Sequence, residues 1–182
     1  MMNLKVVTGN PDKAKEVEEF FNGKVRVGHV KLDLPEIKDN DVGNIARVKA
    51  KAAYDAVKEP LIVDDTGFYI SSLNGFPGAY AAFVLDTIGM EGILRLMENQ
   101  ENRCAYFETA IAYADEDGVL IFRGRVEGSI TTGPRGSEGF GYDPIFEVSG
   151  KTFAEIPLKD KSAVSHRGRA LEAFGEWYLK KQ

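Results

Sequence analysis

Apolar positions in the first third of this chain fall into short strand-length runs separated by helical periodicity. The run Leu4 to Val7 suits a buried strand. Thr8-Gly9-Asn10-Pro11 follows; Asn is a good helix cap and Pro is favoured in the first helical turn. Ala14, Val17, Phe20 and Phe21 then recur at helical spacing until Asn22-Gly23 ends the pattern. Val25 to Leu34 alternates loosely, as a strand would, and Pro35 breaks it. Asp39-Asn40-Asp41 predicts the cap of a helix reaching Val57, with Ile45, Val48, Ala52 and Ala56 on its apolar face. Leu61-Ile62-Val63 reads as a buried strand that runs straight into Asp64-Asp65-Thr66-Gly67. Phe68-Tyr69-Ile70 continues extended, and Gly75-Phe76-Pro77-Gly78 predicts a loop.

The rest of the chain changes character. Ala79 to Met97 predicts a helix interrupted near Gly89. Arg103 to Asp115 and Val119 to Glu127 are β-rich, with a hairpin at Asp115-Glu116-Asp117-Gly118. Gly133 to Tyr142 holds four glycines and predicts a loop. A final helix from Ser165 to Lys180 would bury Leu171, Phe174 and Leu179. Parallel strand–helix–strand units followed by an antiparallel meander predict an α/β fold on a mixed sheet. The chain of 182 residues has no linker, repeat or low-complexity tract, so residues 1–182 read as one domain.

Composition narrows the function. The formal net charge of −5 argues against a nucleic-acid surface, which is usually basic. It does not exclude a small anionic ligand, because net charge says little about one pocket. The single cysteine, Cys104, excludes a disulfide framework and a multi-cysteine zinc site, and fits a reducing, cytoplasmic compartment. His29 and His166 stand too far apart for metal-ligand spacing. The longest apolar run, Ala79 to Leu85, falls far short of the roughly 18 residues a membrane span needs. Met1-Met2-Asn3-Leu4-Lys5 does not lead into a secretory apolar stretch. Neither a nucleic-acid nor a membrane partner is expected.

Five segments carry possible chemistry. Thr8-Gly9-Asn10-Pro11-Asp12-Lys13 lies between the first strand and first helix, where free N–H groups and the helix dipole favour anions, phosphates above all. An ordinary capped turn is the competing reading. Asp64-Asp65-Thr66-Gly67 offers hard oxygen ligands, and with no Cys or His cluster these favour Mg²⁺ over zinc. A solvated acidic turn with Asp65 as cap competes. Glu36, after Pro35, could be a second metal carboxylate or a surface residue. Gly139-Phe140-Gly141-Tyr142-Asp143-Pro144 joins flexible backbone to two aromatics able to stack on a nucleobase and a carboxylate able to accept from a base N–H; the aromatics could equally belong to the core. Lys161, His166 and Arg167 gather donors at the start of the last helix, which Ser165 can cap. Ser149-Gly150-Lys151-Thr152 ends like a phosphate-binding P-loop, yet that motif needs Gly at position 145, which is Ile145.

Taken together the segments resemble the inosine triphosphate pyrophosphatase family, enzymes that hydrolyse non-standard purine nucleoside triphosphates. The matching residues are Thr8-Gly9-Asn10-x-x-Lys13, Leu34-Pro35-Glu36, Val63-Asp64-Asp65-Thr66-Gly67, Gly75-Phe76-Pro77-Gly78 and Arg135-Gly136. Phe140-Gly141-Tyr142-Asp143-Pro144-Ile145-Phe146 and Phe153-Ala154-Glu155 through Lys161-Ser162-Ala163-Val164-Ser165-His166-Arg167 complete them. They fall in the family's order along nearly the whole chain. The resemblance implies an elongated mixed β-sheet flanked by helices, forming two lobes around a central cleft. It implies cleavage of ITP, dITP or XTP to the monophosphate and pyrophosphate with Mg²⁺, and a homodimer.

By position, the resemblance has Thr8, Gly9, Asn10 and Lys13 hold the triphosphate, and Glu36 and Asp65 bind Mg²⁺ or its waters. Asp65 would also be the general base, and Asp64 would share either role. Thr66 would contact substrate. Phe140, Gly141, Tyr142 and Asp143 would pack on and bond the base, Lys161 would reach the phosphates, and His166 and Arg167 would read the 6-keto oxygen. Many members carry Asn-Ala-x-x-Lys-Ala in the second helix; here the run is Ile45-Ala46-Arg47-Val48-Lys49-Ala50, which lacks the Asn and keeps Lys49 as a phosphate ligand.

Overall fold

The computed structural model describes residues 2–161 and 163–181. The chain forms β1 (Met2–Val7), α1 (Pro11–Phe21), β2 (Val25–Val30), α2 (Val42–Val57) and β3 (Leu61–Ile70). There follow β4 (Pro77–Gly78), α3 (Ala81–Thr87), α4 (Gly89–Leu96), β5 (Cys104–Asp115) and β6 (Gly118–Ile130). Last come β7 (Phe146–Val148), β8 (Lys151–Thr152), α5 (Leu158–Lys161) and α6 (His166–Lys180). The strands make one mixed eight-stranded sheet in the order β2-β1-β3-β5-β6-β7-β8, with β4 paired to β3. β1 is parallel to β2 and β3, whereas β4 is antiparallel to β3 and β7 to both β6 and β8. The expected α/β architecture is therefore present. Among the described residues, no helix is long and apolar enough to cross a membrane.

The chain divides into two compact units. Unit 1 holds the residues up to Asp65, Thr109–Gly124 and those from Ala170 on; unit 2 holds Thr66–Glu108 and Arg125–Arg169. In unit 1, Leu4, Val6 and Ile62 from β1 and β3 pack with Ala14, Val17 and Phe21 of α1 and with Leu171, Phe174 and Tyr178 of α6. In unit 2, Phe68 and Ile70 pack with Phe107, Val126, Phe146 and Phe153. Phe68 stacks on Phe107 with ring centroids 4.3 Å apart, and Phe107 meets Phe146 edge to face at 4.8 Å.

Three expectations needed correction. β3 does not stop at Val63: it runs unbroken through Asp64, Asp65, Thr66 and Gly67 to Ile70. The acidic pair sits in mid-strand rather than on a turn, because flanking sheet pairing holds the backbone extended. The buried face of α2 is Val42, Ile45, Ala46, Ala50 and Ala53, not the Val48-Ala52-Ala56 row. A strict spacing of four drifts off a helix that repeats every 3.6 residues. In α6 the last apolar contact is Tyr178; Leu179 is exposed.

Caps and turns were legible. Asp41 caps α2, its carboxylate accepting from the Gly43 N–H at 2.7 Å, and Arg123 grips the same carboxylate with Nη1 and Nη2 at 2.8 and 2.9 Å. The helical run breaks at Ile88, between α3 and α4, and Gly89 opens α4 with a positive φ of 66°, so the interruption falls where the sequence suggested. Ser149-Gly150 is the two-residue turn between β7 and β8, with both φ values positive at 51° and 84°. That is a hairpin geometry, so the P-loop likeness has no phosphate-binding structure beneath it.

Candidate active site

In unit 1, the β1–α1 turn leads into Lys13 on the first turn of α1. The Thr8 hydroxyl accepts from the Asn10 N–H at 3.1 Å, and the Thr8 carbonyl meets His29 Nε2 at 2.8 Å. These bonds fix a turn in which Gly9 faces open space: a Cβ built there meets nothing within 4 Å. The strand beside β1 in the sheet, β3, supplies the acids. Lys13 Nζ donates to Asp64 Oδ2 at 2.9 Å.

Lys49 projects from α2 beside its buried face, and its side chain is only 13% exposed. Its ammonium donates to Asp65 Oδ2 at 3.0 Å and to Glu36 Oε1 at 2.6 Å. Glu36 lies in the irregular segment after β2, and its side chain is mostly exposed. The sequence placed Lys49 on phosphate and Glu36 on metal; the structure ties them to each other. Burial pushes the Asp65 carboxyl above its usual range, with Asp64 adding to the rise and Lys49 and Lys13 opposing it. For Lys49, burial is the largest influence and pulls its pKa down, but the bonds and charges of Glu36 and Asp65 outweigh it and hold the group above the ordinary lysine value. Both directions follow from a desolvated, paired cluster.

In unit 2, the glycine-rich loop is anchored along its length. Arg135 N–H donates to the Pro144 carbonyl, and Ser137 and Glu138 N–H both donate to the Ala154 carbonyl. Gly139 and Gly141 adopt positive φ, 73° and 64°. Asp143, 6% exposed, accepts from the Phe140 N–H at 2.9 Å and forms a short ion pair with Lys161. The Lys161 ammonium lies 4.7 Å from the centroid of the Phe140 ring. Lys161 was expected on phosphate; here it binds the loop carboxylate, a partner no spacing along the chain announces.

The two loop aromatics part company. Phe140 is 63% exposed, as a stacking platform requires. Tyr142 is a core residue: its ring packs 4.7 Å from Phe68 and its hydroxyl donates to the Ala81 carbonyl at 2.6 Å. Burial pushes its phenol up to about 12. His166 and Arg167 open α6, whose Ser165 hydroxyl accepts from the Gly168 N–H at 3.0 Å. The His166 ring stacks on Phe107 at 5.0 Å. Sequence reasoning missed Phe107; its only signal was the inward alternation of β5 with Ala105. Ser162 of the last motif lies outside the described residues.

The donor set suits Mg²⁺ in a particular way. Among the described residues no group of three His, Cys, Asp or Glu side chains converges as a cage. Mg²⁺ usually takes one or two carboxylates together with waters and substrate phosphates, so Glu36, Asp64 and Asp65 fit an ion that arrives with its ligand.

Comparison with known proteins extends along nearly the whole chain. A model of the Ham1 family matches residues 4–177, from β1 into α6. The chain is 45% identical over 179 residues to the dITP/XTP pyrophosphatase of Thermococcus kodakarensis, with 97% of each chain covered. It is 44% identical over 181 residues to the dITP/XTP pyrophosphatase of Methanopyrus kandleri, covering 97% of this chain and 96% of that one. The solved structure of the Ham1 protein of Staphylococcus aureus shares the fold with a TM-score of 0.90 at 28% identity, covering 99% of this chain and 100% of that chain. The motif order, the mixed sheet and these full-length matches agree, and the chain belongs to the Ham1 family.

Proposed function

We propose that this protein hydrolyses non-standard purine nucleoside triphosphates, ITP, dITP and XTP, to the monophosphate and pyrophosphate in the presence of Mg²⁺. The chain is an enzyme of the nucleoside triphosphate pyrophosphatase class. The observation that best supports the substrate is the gathering in unit 1 of Lys13, Lys49, Asp64, Asp65 and Glu36 by an open glycine turn. Phosphates need cations and an approach to the turn backbone; a metal needs hard carboxylates.

In this reading Gly9 lets the α-phosphate approach backbone N–H groups, and Lys13 and Lys49 hold phosphate oxygens. Mg²⁺, when bound at Glu36 and Asp65, offsets phosphate charge and orients water. Asp65 takes the proton of the attacking water, and its burial raises the basicity that this role needs. Catalysis rests on positioning and charge neutralisation, as phosphoryl chemistry generally does.

Base selection is assigned to unit 2. Hypoxanthine and xanthine present a 6-keto acceptor and an N1–H donor. His166, held flat by Phe107, and Arg167 donate to the first; Asp143 or a loop carbonyl accepts the second. Adenine reverses both and leaves buried groups unpaired, at a cost of about 1–3 kcal/mol for each. Phe140 supplies the stacking face. The same reading takes a homodimer as the assembly and the cytoplasm as the compartment.

A panel of nucleoside triphosphates with Mg²⁺ tests it, with pyrophosphate and orthophosphate measured separately. Pyrophosphate from ITP, dITP and XTP ahead of ATP and GTP is expected. Orthophosphate as the first product would overturn the proposed bond cleavage.

A further inference from the structure

Each carboxylate assigned to the metal is already held by a lysine. Asp64 bonds Lys13 at 2.9 Å, and Lys49 sits between Asp65 at 3.0 Å and Glu36 at 2.6 Å. Three carboxylates and two ammonium groups leave one negative charge in excess. Lys49 is not a solvent-borne lysine in chance contact: its side chain, carried on α2, is only 13% exposed, and its head touches two acids from different segments.

We infer that Lys49, seconded by Lys13, is a resident counter-ion that competes with the divalent cation. Metal binding to these carboxylates is then conditional on a nucleotide whose phosphates draw the lysines away. The inference rests on the proposed function, which supplies the phosphate. Mg²⁺ dehydrates reluctantly and demands near-octahedral oxygen ligation, so an ammonium already hydrogen-bonded to the same oxygens is an effective competitor. A triphosphate changes both sides of the exchange. Its oxygens accept Lys13 and Lys49, and its own bound metal takes the carboxylates they leave. Metal and nucleotide then raise each other's affinity by the same factor, as linkage requires. The nucleotide-free enzyme avoids holding a bare metal beside a general base.

The test is a titration with Mn²⁺ as probe, read by the electron paramagnetic resonance signal of the free ion, on nucleotide-free protein. Wild type binds weakly, and Lys49→Met binds about tenfold more tightly, the gain from removing one charge-assisted competitor. Lys49→Arg keeps the cation and stays weak. Adding Asp65→Asn to Lys49→Met abolishes the gain, which locates the site. An ITP analogue with a methylene between the α- and β-phosphorus tightens Mn²⁺ binding to wild type far more than to Lys49→Met. Near-UV circular dichroism reports folding; should Lys49→Met unfold, Lys13→Met, which takes the ammonium away from Asp64, makes the same comparison.

Equal Mn²⁺ affinity in wild type and the Met variant overturns the inference, as does tight binding by nucleotide-free wild type. The titration reads no turnover, so the two readings fail separately. Tighter Mn²⁺ binding without ITP hydrolysis would sink the proposed substrate and keep the counter-ion. Hydrolysis without tighter binding would do the reverse.

Discussion

Gly139 offers a sharp test of how the loop of unit 2 is held. A Cβ there would lie 2.0 Å from Asp143 Oδ2 and 3.0 Å from its Cγ, and the residue sits at φ 73°. The far end of a side chain can often swing aside. This one cannot do so freely, because Phe140 N–H and Lys161 both bond the same oxygen. Gly139→Ala therefore incurs a left-handed backbone cost of about 1–2 kcal/mol. It also loses at least one hydrogen bond to a charged group, about 1.5–3 kcal/mol. Together these amount to about 2.5–5 kcal/mol, or a Tm lower by about 5–20 °C for a chain of this size.

Scanning calorimetry measures the change, with Gly133→Ala as control. Gly133 lies in the same loop, has no neighbour within 4 Å of a built Cβ and has no left-handed φ. The control should stay within about 0.5 kcal/mol of wild type. If both variants melt together, Asp143 does not anchor the loop and the argument from Gly139 fails.

Asp65→Asn should abolish pyrophosphate release with the cooperative melt retained; near-normal turnover would remove Asp65 as base and ligand. Phe140→Ala should lower Tm only slightly, since the ring is 63% exposed and gives up little beyond its contact with the Lys161 ammonium. Its KM for ITP should rise about 5–150-fold, the loss of one base stack; an unchanged KM would end the stacking role. Gly9→Ala meets open space, so stability should hold or rise by about 0.4–1 kcal/mol. Its pyrophosphate release should fall because the methyl stands where a phosphate approaches; full activity would refute that contact. At acid pH, Asp115 sets part of the stability. Burial would raise its pKa, but bonds from Lys181 and Tyr113 outweigh burial and lower it. That contribution is fully present above about pH 4, the unfolded value, and is lost as pH falls through the lower folded one. Asp115→Asn should flatten the acid limb of a Tm-against-pH curve; an unaltered limb would discount the pair.

The element pattern was legible because it depends on neighbours along the chain. Asn22-Gly23, Asp41 and Gly89 act within one or two turns, and the structure has them at the boundaries their chemistry favours. β3 shows the limit of such reading. Its centre holds Asp64, Asp65 and Gly67, residue types depleted in strands, yet it stays extended within the sheet. The buried row of α2 was misjudged for a related reason. Alanines can lie on either side of a helix, and the packing partner chooses.

The site divides the same way. Local pattern alone determined that a glycine turn, an acidic pair, an aromatic loop and a basic helix start exist, and in what order. It could not tell that Lys49 joins Glu36 to Asp65, that Lys161 belongs to Asp143, that Tyr142 is core while Phe140 is exposed, or that His166 lies on Phe107. Those pairings link residues far apart in the chain, so no local spacing encodes them. Tertiary structure decides them because burying a charge without a partner is expensive, and the only partners are those the sheet and helices bring within reach.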